Sequence, residues 1–308
     1  MRIAILGATS QIARDYTRAL LLQGAYDLTL FGRRPEAISQ WLRSAGHPTG
    51  AVVHALDDFS NTQKFDAIVN FIGAGDPGAL IAMGVSIFDV TYQFDKMVLD
   101  YLKIHKKCRY VFLSSGAVYG SEFAFPVRDD SRSSIAINAI NAQDWYGVSK
   151  LHAECRHRAM SDYSITDIRV FSYFSRSQKS DGKFFMSNVI RAIQENLVLR
   201  VSRDPMVRDY ICPMDFARLL ENVLGGPFGN MALDCYSREP VSKDVLLEFM
   251  RQNFGLRYEV VDVAGINATG SKMNYYSLNR RASNIGFQPI YSSLEGIEVE
   301  AAAILSAI

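Results

Sequence analysis

Ile3-Ala4-Ile5-Leu6-Gly7-Ala8-Thr9-Ser10-Gln11-Ile12-Ala13 is the stretch that decides the fold. Four apolar residues end at a glycine, the form of a strand buried on both faces. Ile12, Tyr16, Ala19 and Leu20 then recur at helical spacing, and Gly24 stands where such a helix would stop. A second apolar run, Leu28-Thr29-Leu30-Phe31, closes on Gly32-Arg33-Arg34. A strand, a tight turn and a helix that returns to a parallel strand make a βαβ unit.

Outward from that unit the rhythm continues. Residues 51–56, 67–72, 109–113 and 165–171 read as further strands, and 35–45, 94–105 and 146–162 as helices. Alternating helices and apolar strands predict an α/β fold, a doubly wound, Rossmann-like parallel sheet. After Phe171 the texture changes. A polar loop over 172–183 precedes a helix over 184–195, a short strand over 197–201 and a helix over 214–224. Residues 231–236 and 258–263 read as strands, with a Ser-capped helix over 242–254 between them. The expected organisation is a dinucleotide-binding domain over 1–171, to which 206–236 return. A smaller α/β substrate-binding cap is expected over 172–205 and 237–308.

The 308 residues are 48% hydrophobic and 21% charged, with a formal net charge of +1. That balance gives no electrostatic reason to expect nucleic acid or an anionic membrane as partner. Cys108, Cys155, Cys212 and Cys235 are scattered and form no CxxC, so they are expected to be reduced and mostly structural. The five histidines include no HExxH, and no metal site is expected. The first apolar run is too short for a signal peptide and no stretch is long enough to span a bilayer. A soluble, cytoplasmic protein is expected.

The turn at Gly7 could hand a pyrophosphate to helix N-terminal amides, with Gly7, Thr9, Ser10, Gln11 and Ile12 as the binding residues. Alone, it does not separate a phosphate loop from an ordinary βα connection. The end of the second strand says more. NAD-binding sheets place a carboxylate there for the ribose 2′-hydroxyl, whereas this chain has Gly32 followed by Arg33 and Arg34, a guanidinium pair suited to a 2′-phosphate. NADP is therefore the expected cofactor, with NAD the alternative. Asp57, Phe71 and Gly73 fall at the ends of the next two strands, and Ser114 and Tyr173 at the ends of the two after that; they complete the cofactor set.

Residues 109–120, RYVFLSSGAVYG, run from an apolar strand into Ser114, Ser115 and a small-residue turn, and Tyr146-Gly147-Val148-Ser149-Lys150 opens a helix. Tyr146 and Lys150, i and i+4, share one helix face. Val148, Leu151, Cys155 and Ala159 are expected to pack the other face on the sheet. A free phenol titrates near ~10, and a neighbouring ammonium with an oxidised nicotinamide would favour phenolate. Ser115 would polarise a substrate oxygen that Tyr146 protonates.

With these residues the chain resembles the extended short-chain dehydrogenase/reductases, the NAD-dependent epimerase/dehydratase family. The motifs are GATSQIA, LSSGAVYG, YGVSK, IRVFSYFS, RDYICPMDFARLL and the closing LNRRASNIGFQPIYSSLEGI, which together span nearly the whole chain. The resemblance implies Ser115, Tyr146 and Lys150 as catalytic residues and Tyr146 and Lys150 also as cofactor ligands. It implies Ser115, Gly116, Ser172 and Arg208 on the substrate side, with Arg208 at the diphosphate of a nucleotide-linked sugar. A homodimer formed through helices flanking the sheet is implied as well. Ser10 and Ala13 depart from the family's glycines, Ser172 from its asparagine and Ser175 from a glycine.

Within that family the sugar 4,6-dehydratases carry an Asp-Glu pair just after the serine, where this chain has Gly116-Ala117. Elimination of water therefore lacks its acid and base. With Arg33 at the end of the second strand, the first expectation is an NADP-dependent reductase of a nucleotide-activated 4-keto-6-deoxy sugar. A nucleotide-sugar epimerase with tightly bound NAD(P) is the alternative, and a non-catalytic NADP-sensing regulator a further one.

Overall fold

The structure is a computed structural model that describes residues 1–47, 50–73, 77–178, 182, 184–262 and 272–306. Its strands are β1 Arg2–Leu6, β2 Asp27–Gly32, β3 Val52–Ala55, β4 Ala67–Asn70, β5 Arg109–Ser115, β6 Ile165–Val170 and β7 Ser172–Tyr173. They continue as β8 Val198–Ser202, β9 Val207–Arg208, β10 Tyr210–Ile211, β11 Asn230–Asp234, β12 Val241–Ser242, β13 Arg257–Val261 and β14 Asn274–Tyr275. The helices are α1 Gln11–Gln23, α2 Pro35–Ser44, α3 Pro77–Met83, α4 Ser86–Ile104, α5 Trp145–Arg158, α6 Phe185–Gln194, α7 Pro213–Gly225, α8 Lys243–Phe254 and α9 Ser293–Leu305.

Seven parallel strands form the main sheet in the order β11-β6-β5-β4-β1-β2-β3. This is the doubly wound arrangement, and its order reverses between β1 and β4. Ile3, Ala4, Ile5 and Leu6 are completely buried because helices cover both faces of the strand they form. Ile3, Ile5, Leu28, Leu30, Val69 and Val111 face one layer, with Tyr16 and Leu20 of α1 and Phe216 and Leu220 of α7. Ala4, Leu6, Phe31, Ile68, Tyr110 and Phe112 face the other, with Val98, Leu99 and Leu102 of α4 and Ala153 of α5.

Local signals hold at the ends of the elements. Ser10 Oγ accepts from Ala13 N at 3.3 Å and starts α1, and Gly24, at φ 65°, closes it on the Leu20 carbonyl. Ser242 caps α8 through Val245 N, so the helix proper begins at Lys243 rather than at the serine. Smaller differences are common at strand ends: β5 runs through Ser115 instead of stopping at Leu113, and β4 stops at Asn70 instead of Ile72.

Two helices differ more instructively. Helix α4 begins at Ser86, eight residues before the expected start at Phe94. Its buried stripe contains Thr91 and Asp95, which interrupt the apolar rhythm. In α5 the expected faces are reversed. Cys155 and Ala159 are exposed and Val148 and Leu151 only half-buried, whereas Gly147, Ser149, Lys150, Ala153, Glu154 and His157 are the buried residues. The sheet side of α5 is polar because each charge on it has a buried partner, described below. Cys155 is consequently an exposed thiol, and the other three cysteines are buried.

Beyond β6 the chain builds a separate apolar cluster around Phe174, Met186, Val189, Leu246, Leu247, Met250 and Ile297. Three small sheets accompany it: β10-β7, β12-β9-β14 and β13-β8. Helix α7 and β11 return to the main sheet, where β11 pairs with β6. Among the described residues no helix is long and apolar enough to cross a membrane.

Candidate active site

Ser115 ends β5, and its Oγ accepts from Ala117 N at 3.2 Å, capping the 3₁₀ turn Gly116–Tyr119. Helix α5 starts directly against this turn. A Cβ on Gly147 would lie 2.4 Å from the Ala117 carbonyl oxygen, so only glycine admits the approach. That contact brings Tyr146 beside Ser115. Burial raises the Tyr146 phenol well above its ordinary range, the Tyr275 phenol adds to this, and a hydrogen bond with Ser115 opposes it.

One turn along α5, Lys150 Nζ donates to the Leu113 carbonyl at 2.7 Å and lies 4.3 Å from the Phe112 ring centroid. It is 5.9 Å from the centre of the Tyr146 ring. Burial lowers its pKa to about 8 against the pull of Asp95, Asp167 and Glu154. The hydrogen bond to Leu113 ties the ammonium to the backbone of β5.

Two buried polar networks lie under the site. In the first, His157 Nδ1 is 2.6 Å from Asp167 Oδ1 and Nε2 is 2.7 Å from Asp95 Oδ1. Arg156 and Arg158 close the outer oxygens at 2.8 and 2.7 Å. Tyr110 donates to Asp95 at 3.1 Å, Asn70 donates to Tyr110 at 3.0 Å, and Asn70 Oδ1 accepts from Ile72 N at 2.9 Å. The second network runs from Ser114, which donates to Glu154 at 2.6 Å, through Arg169 to Asp234 and Tyr119. Ser277 then donates to Asp234 at 2.6 Å.

The expected cofactor residues gather along one edge, at the C-terminal ends of β1 to β6. Gly7 has φ 74°, and a Cβ there would meet Ile72 N and the Phe71 carbonyl carbon at 3.0 Å. Gly73 faces Lys150 Nζ, 3.5 Å from where its Cβ would stand. Arg33 and Arg34 are exposed, with no ion-pair partner among the described residues, and Asp57 is exposed in the 3₁₀ turn after β3. Thr9 and Ile12 are half-buried beside Gly7 and on α1.

Several of these side chains point elsewhere. Ser10 caps α1, Gln11 donates to Ser175 at 2.8 Å, and Tyr173 donates to Asp15 at 2.9 Å. Phe71 packs with Tyr16 and Phe216. Ser114 is turned from Ser115 by strand alternation and serves Glu154. What Phe71 and Ser114 offer a dinucleotide is backbone, not side chain. The backbone edge, the tight glycines and the spare donors of Lys150 suit an extended, phosphate-bearing dinucleotide.

On the other side, Ser172 is half-buried on β7, and Gly116 packs so closely that a Cβ would stand 2.5 Å from the Phe171 ring. Arg208 Nη1 donates to the carbonyls of Val207 and Lys272 at 2.8 and 2.6 Å. Sequence reasoning missed Tyr275, whose hydroxyl is 3.2 Å from Ser115 Oγ. It also missed Lys272, which lies 4.4 Å from the Tyr275 ring centroid. Both sit in a segment with no readable pattern, far from Ser115 in sequence. The two networks were missed too, since nothing in the sequence pairs Glu154 with Arg169 or His157 with Asp95. A cleft alongside is lined by Ala117, Gly120, Ser134, Asp144, Gly147 and Lys272 among others. No group of potential metal ligands occurs among the described residues.

The family model for the NAD dependent epimerase/dehydratase family matches residues 3–227. A UDP-glucose 4-epimerase of Cyamopsis tetragonoloba is 26% identical over 191 residues, 54% of this chain and 50% of that protein. The chain thus spans about half the length of that curated relative. Among solved structures, a UDP-glucuronic acid 4-epimerase from Bacillus cereus, in complex with UDP-glucuronic acid and NAD, superposes with a TM-score of 0.80 at 17% identity over 100% of both chains. A UDP-glucose-4-epimerase from Stenotrophomonas maltophila, with NAD and formylated UDP-arabinopyranose, gives 0.80 at 16% identity, again over 100% of both. A dTDP-glucose 4,6-dehydratase from Bacillus anthracis, in complex with NAD, gives 0.80 at 15% identity, covering 99% of this chain and 97% of that one. At such identities the superpositions show a shared fold.

Proposed function

Because the chain belongs to the NAD dependent epimerase/dehydratase family, a family of enzymes, we propose that it is a nucleotide-sugar epimerase working with a nicotinamide dinucleotide that it keeps bound. The observation that carries this reading is the convergence of Ser115, Tyr146 and Lys150, followed by Gly116-Ala117. The first three suit oxidation and reduction at a carbinol carbon. The last two supply no acid and base for eliminating water. Similarity to 4-epimerases supports inversion at that carbon over net reduction, the first expectation from the sequence.

When bound, the dinucleotide supplies the hydride acceptor and donor. Gly7, Thr9, Ser10, Gln11 and Ile12 would hold its pyrophosphate, and Arg33, Arg34 and Asp57 its adenosine end. Phe71, Gly73, Ser114, Tyr146, Lys150 and Tyr173 would surround the nicotinamide end. Ser115 holds the sugar oxygen. Tyr146 takes the hydroxyl proton as the carbinol becomes a carbonyl and returns it when the carbonyl is reduced from its other face. Lys150, positively charged and fixed by Leu113, stabilises the phenolate that lies between these steps. Proton and hydride both return to the sugar, so turnover consumes no external reductant.

The purified protein, incubated with a panel of UDP- and dTDP-sugars and no added reductant, should interconvert a 4-epimeric pair by NMR. Conversion that requires stoichiometric NADPH would instead establish a reductase. That second reading is favoured by one observation, the absence of a carboxylate at the end of β2 with Arg33 and Arg34 exposed there.

A further inference from the structure

Residues 173–177 carry the chain away from β6, and their side chains alternate between two partners. Tyr173 donates to one oxygen of Asp15 on α1 at 2.9 Å, and Ser177 donates to the other at 2.5 Å. Ser175, fully buried between them, accepts from Gln11 at 2.8 Å. Gln11 and Asp15 are i and i+4 and so share one face of α1. The intervening residues turn the other way. Phe174 is buried in the apolar cluster with Met186 and Leu246. Arg176 meets Glu300 of α9, through its backbone N–H at 2.7 Å and its guanidinium at 2.9 Å. The segment is strapped to α1 on one side and to α9 and the smaller cluster on the other.

The strap has a reason to stay closed. Asp15 is buried, and no cation pairs with it among the described residues. Burial raises its pKa, the hydroxyls of Ser175, Ser177 and Tyr173 oppose the rise, and Glu300 adds to it. Lifting residues 173–177 from α1 would strip a buried carboxylate of its donors, which costs more than breaking solvated hydrogen bonds. The strap also joins two sides of the edge suited to a dinucleotide. Gln11 follows the Gly7 turn beyond β1 and Ser175 lies beyond β6, and β4 and β5 stand between those strands in the sheet. A dinucleotide extended from the Gly7 turn to Lys150 has strapped residues at both ends, Gln11 at the pyrophosphate and Tyr173 at the nicotinamide.

We propose that Gln11 and Asp15 are positioning residues whose strap on residues 173–177 sets how slowly the bound dinucleotide leaves. This rests on the reading that the dinucleotide stays bound through turnover, and it names what retains it. The side chains of Gln11 and Asp15 act on the segment and leave the ligand to the backbone amides of α1 and to Tyr173. Release then requires the strap to open.

The test is a chase. Protein loaded with NADH or NADPH is mixed with excess NAD or NADP, and the loss of bound-nicotinamide fluorescence gives the release rate. Gln11→Leu and Ser175→Gly, the latter restoring the glycine of the family pattern, should each speed release about 3- to 10-fold, the scale of one hydrogen bond. Their combination should be no faster than either alone, because each removes half of the same bond. Asp15→Asn should speed release about 10- to 100-fold, since two bonds lose their charge. Association rates should change little, a split that general loosening of the fold does not produce. Melting temperatures matching wild type would show that the variants fold, and Ser177→Ala, at a half-buried site, replaces Asp15→Asn if that variant does not. Wild-type release rates in all of the variants would overturn the strap and leave the epimerase reading intact. Additive effects of Gln11→Leu and Ser175→Gly would also overturn it. Failure of wild type to bind either dinucleotide would remove both.

Discussion

The imidazole of His157 and the carboxylate of Asp95 meet at 2.7 Å with no solvent access to either side chain. Asp167 holds the other ring nitrogen, so both nitrogens face carboxylate oxygens. A neutral imidazole can donate from only one of them. The protonated ring satisfies both, and it joins α4, α5 and β6 directly below Lys150.

Burial alone would lower the His157 pKa, but Asp167 and Asp95 override it and raise it to about 9 from 6.5. The folded state thus holds a proton the unfolded chain releases. The stabilisation is complete below about pH 6.5, shrinks as pH rises, and is gone once pH passes about 9. Chemical denaturation should show stability falling across that window, with Arg156, Arg158 and Tyr110 as the other charged or titratable neighbours. His157→Gln should abolish the slope and cost about 3–5 kcal/mol by stranding buried carboxylates.

Tyr146→Phe should reduce turnover by about 10²- to 10⁴-fold, the span of a lost proton-transfer group, while fluorescence titration still finds the dinucleotide bound. Lys150→Met should weaken dinucleotide binding as well as turnover. An unchanged rate in Tyr146→Phe would remove the phenol from the chemistry.

Arg33→Ala should weaken NADPH by about 10-fold or more and leave NADH nearly unaffected, provided the guanidinium meets a 2′-phosphate. Raising salt should diminish the wild-type preference in the same direction. Parallel titrations with both dinucleotides read this directly, and equal weakening of both would assign Arg33 no role in the choice.

Gly147→Ala places a methyl group 2.4 Å from a backbone carbonyl that cannot withdraw as a side chain can. The start of α5 should shift, costing about 1–3 kcal/mol in stability. Turnover should drop further than stability explains, because Tyr146 moves with the helix. Comparing kcat at a temperature where the variant remains fully folded separates the two losses.

The sheet was legible because β1, β2, β4 and β5 are apolar runs between turn residues, a pattern that burial on two faces imposes. Ser115, Tyr146 and Lys150 were legible because their spacing around one strand and one helix is short-range information. Helix α5 was misread for a physical reason. Its sheet face carries Lys150, Glu154 and His157, whose burial depends on Leu113, Arg169, Asp95 and Asp167, far away in sequence. Hydropathy cannot anticipate paired charge. The start of α4 was lost in the same way, since Asp95 occupies a core position only because His157 and Arg156 meet it. Tyr275 enters the site through a two-residue strand, too short to leave a periodic trace, and Lys272 lies just before that strand.

The contact between Ser115 and Tyr275 also bears on the order in which the molecule is made. During synthesis, all seven strands of the main sheet leave the ribosome before the segment that carries Tyr275. The large sheet can therefore assemble while its serine still lacks the phenol that finally meets it. The Tyr275 side of the site arrives late in the life of the nascent chain, after the scaffold that will use it.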